Sequence, residues 1–185
     1  IGYLFCIHLQ VLVRFDNLIP GRSGKHSFHG FIRHLFCFQD KLKQDIKVVT
    51  HSLMNQVASN PKILHEITPR QFEELVCELF EKEGNHVELT KQTRDGGKDL
   101  IILNNSSLGD FVIYAECKKR APKYPVNVGF VRELYGTVNA DNATAGIMVT
   151  TSYFSRDARK YREKIKSRMS LIDYTELMKR IMACK

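Results

Sequence analysis

The spacing of hydrophobic positions changes along this chain, and each spacing predicts an element. Leu42, Ile46, Val49, Leu53 and Val57 recur at helical intervals, which predicts an amphipathic helix at about 41–59. Asn60-Pro61 stops it. Thr68-Pro-Arg-Gln71 has the form of a capping box with proline at the first helical position. Phe72, Leu75, Val76, Leu79 and Phe80 then make one apolar stripe, and Gly84 ends the helix. Ile67 and Phe72 stand at the two staple positions that set the angle of the incoming chain. From His86 the pattern turns to strands. His86 to Thr90 is one, the apolar run Leu100 to Leu103 led by Asp99 is a second, and Phe111 to Lys118 is a third. Asn104 to Asp110 is rich in turn formers, so the last two should form a hairpin.

The second half alternates helix and strand. Asn127 is placed to cap a helix that turns Phe130, Val131, Leu134, Tyr135 and Val138 inward, with Gly136 suggesting close packing. Ala145 to Val149 reads as a buried strand. Arg156 to Arg168 is a helix with Phe154, Ala158, Tyr161 and Ile165 inward, and Leu171-Ile172 is a last short strand. Asp173 with Glu176 caps a final helix carrying Leu177, Ile181 and Met182. Strand–helix–strand order implies a parallel crossover, so the fold class is α/β.

Two of these strands carry charge where a strand should be apolar. Side chains alternate along a strand, so Glu116 and Lys118 share one face and Cys117 takes the other. In a hairpin Asp99 sits beside that face. Two carboxylates and one ammonium at a sheet end suit a hard divalent cation such as Mg2+, which prefers oxygen ligands. Such a cation polarises phosphoryl oxygens and activates water, and a neighbouring lysine orients the water or neutralises developing charge. The same residues also suit a simple salt-bridged strand end. Asp95 rivals Asp99 as a ligand, but Asp99 leads the apolar strand and Asp95 suits the turn.

Asp99…Glu116-Cys-Lys118 resembles the D…(D/E)-x-K site of the PD-(D/E)xK nucleases. Pro69-Arg-Gln-Phe-Glu-Glu-Leu75, Asp95-Gly-Gly-Lys-Asp99, Val131-Arg-Glu-Leu-Tyr-Gly136 and Val149 to Ser155 with Ala158 extend the likeness, in order, to the catalytic domain of Mrr-type restriction endonucleases. The resemblance spans roughly residues 61 to 182. It implies a restriction-endonuclease-like three-layer core, a central mixed β-sheet flanked by helices, over 61–185. Residues 1–60 form a small N-terminal appendage. It implies Asp99 and Glu116 as metal ligands, Lys118 as the residue that positions water, and Glu73 approaching the metal from its helix. Mg2+ is the expected cofactor, with Mn2+ as a substitute. DNA is the expected substrate, cut in restriction or defence in a prokaryotic cytoplasm. Lys98 stands where many relatives carry an apolar residue, and suits either a DNA phosphate or an exposed strand start.

Charge agrees with a polyanionic partner. The chain has 185 residues, a formal net charge of +8 and 43% hydrophobic residues, enough for one core. Lys119, Arg120 and Lys123 lie around Pro122 and Pro125 in a basic loop just after Lys118. Thr151 and Ser152 follow the Ala145–Val149 strand, where open α/β sheets bind ligands. Their hydroxyls suit DNA phosphate or turn and cap hydrogen bonds equally. Arg156, Arg159 and Lys160 begin the helix with seven basic residues, the best candidate for a DNA-backbone surface beyond the site.

Residues 1–40 are the least legible. Ile1 to Val13 is apolar but too short to span a bilayer, and it lacks the basic lead and cleavage site of a signal peptide. No membrane association is expected. His26, His29, His34 and Cys37 have the ligand types for zinc but no recognised spacing. Five cysteines with no CxxC fit a reducing compartment. No winged helix or other sequence-reading motif is evident, and a homodimer stays open. Two rivals share the core: a Holliday-junction or repair nuclease, and a DNA-binding module without catalysis.

Overall fold

The structure, a computed structural model, describes residues 53–90, 97–106 and 109–184. The apolar start at Ile1 to Val13, the His26/His29/His34/Cys37 set, the helix over 41–52 and the turn containing Asp95 lie outside the described residues.

The described chain is a five-stranded mixed sheet with helices on both faces. Residues 53–59 are helical (α1), followed by α2 (Ile63–Glu66) and α3 (Pro69–Lys82). The strands are β1 (His86–Leu89), β2 (Leu100–Ser106), β3 (Gly109–Lys118), β4 (Ala145–Thr150) and β5 (Met169–Ile172). Helices α4 (Val128–Ala140), α5 (Arg156–Lys164) and α6 (Tyr174–Ala183) complete the order. Strands lie in sequence order, β1-β2-β3-β4-β5. The first three pair antiparallel, and β3, β4 and β5 pair parallel through helical crossovers.

Alternation along the strands builds two cores. On one face Ala115, Leu100, Ile102 and Val149 meet Phe72, Leu75 and Leu79 of α3, Leu177 and Ile181 of α6, and Met54 and Val57 of α1. On the other, Tyr114, Met148 and Met169 meet Val131, Leu134 and Val138 of α4 and Ala158 of α5. β4 contributes to both faces, as a central parallel strand must.

The predicted caps form. Thr68 accepts the Gln71 N–H and the Gln71 side chain accepts the Thr68 N–H, Asn127 accepts the Gly129 N–H, and Asp173 accepts from Thr175 and Glu176. Gly84 ends α3 with φ +89°. Three local expectations change. The Asn104–Asp110 stretch is not all turn: the hairpin ladder continues through Asn104↔Phe111 and Asn105↔Asp110 to Ser106↔Gly109. Helix α5 stops at Lys164, well before Arg168, because Ile165 leaves helical geometry at φ −125°. Gly136 faces open space; the close approach is at Gly146, where a Cβ would lie 2.6 Å from Met169 Sδ and 3.0 Å from Val138 Cγ2.

Candidate active site

The hairpin register brings the charged strand ends together. Leu100 lies opposite Ala115, so Asp99 arrives beside Glu116. The Asp99 backbone N–H donates to the Ala115 carbonyl at 2.9 Å. The Asp99 carboxylate in turn accepts the Cys117 N–H through Oδ2 at 2.7 Å. Thr90 pins the backbone on the other side: its N–H donates to the Asp99 carbonyl, and its hydroxyl contacts the carbonyls of Lys98 and Asp99 at 2.8 and 2.9 Å. Asp99 is thus set by both neighbouring strands before any ligand is considered.

Glu116 and Lys118 project from β3 toward α4, the face that also takes Tyr114. Glu116 is 4% exposed. Its Oε1 meets Lys118 Nζ at 2.6 Å. Its Oε2 is buried with no hydrogen-bond partner among the described residues. Burial pushes the Glu116 carboxyl above the usual glutamate range; Lys118 pulls it back, and the charges of Asp99 and Glu133 push it further up. The Lys118 ammonium also sits 5.0 Å from the centre of the Phe130 ring, and the Arg120 guanidinium carbon lies 5.0 Å from the same ring.

Glu73 occupies the first turns of α3, on the opposite face of the sheet. It accepts from Arg70 at 3.0 Å, and Arg70 also donates to the Thr90 carbonyl at 3.1 Å. One short relay therefore links Glu73 to the residue that pins Asp99. The Cys117 thiol is raised well above its usual range by burial first, then by Asp99, Glu73 and Glu116. The charges of three carboxylates, Asp99, Glu73 and Glu116, are therefore felt at one strand position.

The basic residues divide. Lys98 reaches Asp141 at 2.5 Å and lies 4.1 Å over the Tyr114 ring. Asp141 raises the Lys98 ammonium's pKa, chiefly by this hydrogen bond. Lys119 donates to the His65 carbonyl at 2.9 Å, tying β3 to α2. Both therefore hold the fold. Thr151 and Ser152 make turn hydrogen bonds. Thr151 is 1% exposed; its hydroxyl accepts the Arg120 N–H and donates to the Arg120 carbonyl, both at 2.8 Å. The Ser152 hydroxyl donates to the Pro122 carbonyl at 3.2 Å. These hydroxyls are buried and bonded to the backbone of the loop that follows β3. Lys123, Arg156, Arg159 and Lys160 are exposed, with Arg159 3.8 Å from Asp173. Arg120 lies beside the site over Phe130. Two contributors are hidden in the sequence. Phe130 reads there only as a core residue, and Glu133 only as part of a family motif. No local pattern distinguishes an aromatic ring that cradles two cations from one that fills a core.

A family model described as restriction endonuclease, the Mrr catalytic domain, matches residues 64–181. The chain belongs to this family. It is 26% identical over 144 residues to the type IV methyl-directed restriction enzyme EcoKMrr of Escherichia coli, covering 75% of this chain and 45% of that protein. It is 27% identical over 115 residues to the uncharacterized protein y4cE of Sinorhizobium fredii, covering 61% of this chain and 29% of that one. The chain thus spans less than half the length of either relative. The DNA modification-dependent restriction endonuclease AspBHI superposes with a TM-score of 0.53 at 20% identity, over 76% of this chain and 35% of that one. That likeness establishes the fold, the restriction-endonuclease-like three-layer core.

Among the described residues no three His, Cys, Asp or Glu side chains converge closely enough to hold a metal unaided. Mg2+ does not need three: it is commonly held by one or two carboxylates, waters and substrate phosphate. The donors present fit such an ion. A buried carboxylate oxygen with no partner among the described residues stands beside a second carboxylate, and both are hard oxygen donors. No helix among the described residues is long and apolar enough to cross a membrane.

Proposed function

We propose that this chain is a metal-dependent DNA endonuclease, acting in restriction or defence in the cytoplasm. The observation that carries it is the convergence of Asp99, Glu116 and Lys118 at one sheet end, with Glu116 Oε2 buried and without a hydrogen-bond partner among the described residues. Asp99 and Glu116 are the ligands for Mg2+, and Mn2+ can replace it. Bound there, the cation supplies Lewis-acid polarisation of a phosphodiester and a more acidic water. The protein does the rest. Lys118 donates to the attacking water or to a phosphoryl oxygen on which negative charge develops. Glu116 Oε1 holds Lys118 in place, and Phe130 supports the ammonium from beneath. Asp99 is locked by the Cys117 N–H, so its other oxygen keeps a set direction. Glu73, through Arg70 and Thr90, steadies the Asp99 backbone and adds negative charge near the site. Arg120, Lys123, Arg156, Arg159 and Lys160 take the DNA backbone, because exposed cations beside a phosphodiester site supply affinity and register. Cutting both strands needs two such sites, which a homodimer supplies.

The test is plasmid cleavage with Mg2+, Mn2+ or EDTA, comparing the native chain with Asp99→Ala and Lys118→Ala. Metal-dependent nicking or linearisation, lost in both variants while they stay folded, is the expected result. No cutting of plain, methylated or branched DNA, with binding intact and unchanged in the variants, would leave a binding module instead.

A further inference from the structure

Only three large hydrophobic side chains among the described residues stand exposed: Tyr124 at 53%, Tyr153 at 43% and Met182. Scattered exposed apolar groups need no explanation. Two of these three are not scattered. Tyr124 lies in the loop leaving β3, six residues after Lys118. Tyr153 lies three residues after Thr150, the register partner of Lys118. The two loops are zipped together. Val126 bridges Phe154 in parallel, the Val126 N–H donates to the Tyr153 carbonyl at 2.8 Å, and the Ser155 N–H donates to the Val126 carbonyl at 2.9 Å. The Tyr153 hydroxyl reaches the Lys123 carbonyl at 3.5 Å, and Lys123 Nζ lies 5.1 Å from the Tyr124 ring. Two exposed tyrosines therefore meet one lysine, Tyr124 with its ring at the ammonium and Tyr153 with its hydroxyl at the backbone carbonyl, on loops held by buried Thr151 and Ser152 that continue from the candidate site.

We propose that Tyr124 and Tyr153 form a stacking platform for unpaired DNA bases next to the scissile phosphate. Aromatic faces bound by cations are the means by which proteins hold single strands, since every base has a π-face and every nucleotide a phosphate. The rings supply the faces; Lys123 and the exposed Arg156 on the following helix supply charge for the phosphates. Paired bases offer no such faces, so the surface selects DNA that is unpaired, flapped or opened beside the cut. This rests on the nuclease reading for the location of the cut, and on the loop geometry for the surface itself.

The experiment measures binding by fluorescence anisotropy in EDTA, where nothing is cleaved. The probes are a blunt duplex and the same duplex with a single-stranded arm. The variants are Tyr124→Ala/Tyr153→Ala and Tyr124→Phe/Tyr153→Phe in the full chain. The alanine pair is expected to weaken binding to the armed probe by about tenfold for each stack removed, leave the blunt duplex within about twofold, and so abolish the preference. The phenylalanine pair keeps it, which separates stacking from the hydroxyl hydrogen bond. The single substitutions, each expected to show about half of the effect on a logarithmic scale, carry the test should the double variant not fold. Equal weakening on both probes, or none on either, overturns the proposal. Metal-dependent cleavage with no such difference removes the platform alone. The difference without any cleavage removes the nuclease reading alone.

Discussion

Replacing Glu116 by glutamine is expected to stabilise the chain when no metal is bound. Glu116 is nearly fully buried, and its Oε2 has no hydrogen-bond partner among the described residues. A buried charged acceptor left unpaired costs about 2 kcal/mol more than a buried neutral amide in the same place, which is desolvated at lower cost. The substitution also gives up the charge pair with Lys118, which is 29% exposed at the side chain. Glutamine can still accept from Lys118, so only the charge is lost, about 1 kcal/mol for a pair whose ammonium reaches solvent. The net gain is about 1 kcal/mol, or a rise of about 2–4 °C in melting temperature for a domain of this size. The assay is thermal unfolding by circular dichroism in EDTA at neutral pH. The pH dependence follows from the same cause. The folded Glu116 carboxyl lies above its unfolded value, so the native state holds its proton longer. Its contribution to stability falls as pH rises from the ordinary glutamate range through the folded value. Wild type should therefore converge on the glutamine variant at acid pH and fall behind it above. Added Mg2+ should raise the melting temperature of wild type and not of the variant, since only a state that binds the ion gains from it. A lower melting temperature for Glu116→Gln in EDTA would refute the reasoning, because the carboxylate would then be a net structural support.

Three further outcomes follow from the geometry. Thr151→Val removes two hydrogen bonds to the Arg120 backbone in a buried setting and should cost about 2 kcal/mol in urea unfolding. It should leave the salt dependence of DNA binding unchanged, because that hydroxyl is bonded to the loop backbone. Gly146→Ala places a methyl against Met169 and Val138 and should cost about 1–3 kcal/mol by overpacking, read as a lower urea midpoint at constant slope. Arg156→Gln and Lys160→Gln together should lower the slope of log affinity against log salt by about 2, one for each phosphate no longer neutralised; an unchanged slope places the DNA elsewhere.

The elements were legible because their signals are local. The Thr68–Gln71 box, the Asn127 and Asp173 caps, and the stripe from Phe72 to Phe80 depend on neighbours three or four residues away. The pairing of Asp99 with Glu116 and Lys118 was legible too, since strand alternation and one hairpin suffice to bring them to one end. The ordered motifs added the family. The fate of the polar side chains around that site was not legible. Thr151 and Ser152 look alike in sequence whether they face solvent or a carbonyl; the fold buries them against the carbonyls of Arg120 and Pro122. Lys98 and Lys119 count as positive charge in any composition, yet Asp141 lies 43 residues from one and His65 lies 54 residues from the other. Gly136 and Gly146 are the same residue type, and only the packing of α4 and β5 on β4 showed which was crowded. Periodicity and capping report how a segment prefers to fold by itself. Which polar groups remain for a ligand depends on the partners that distant segments bring, and only the tertiary structure decides that.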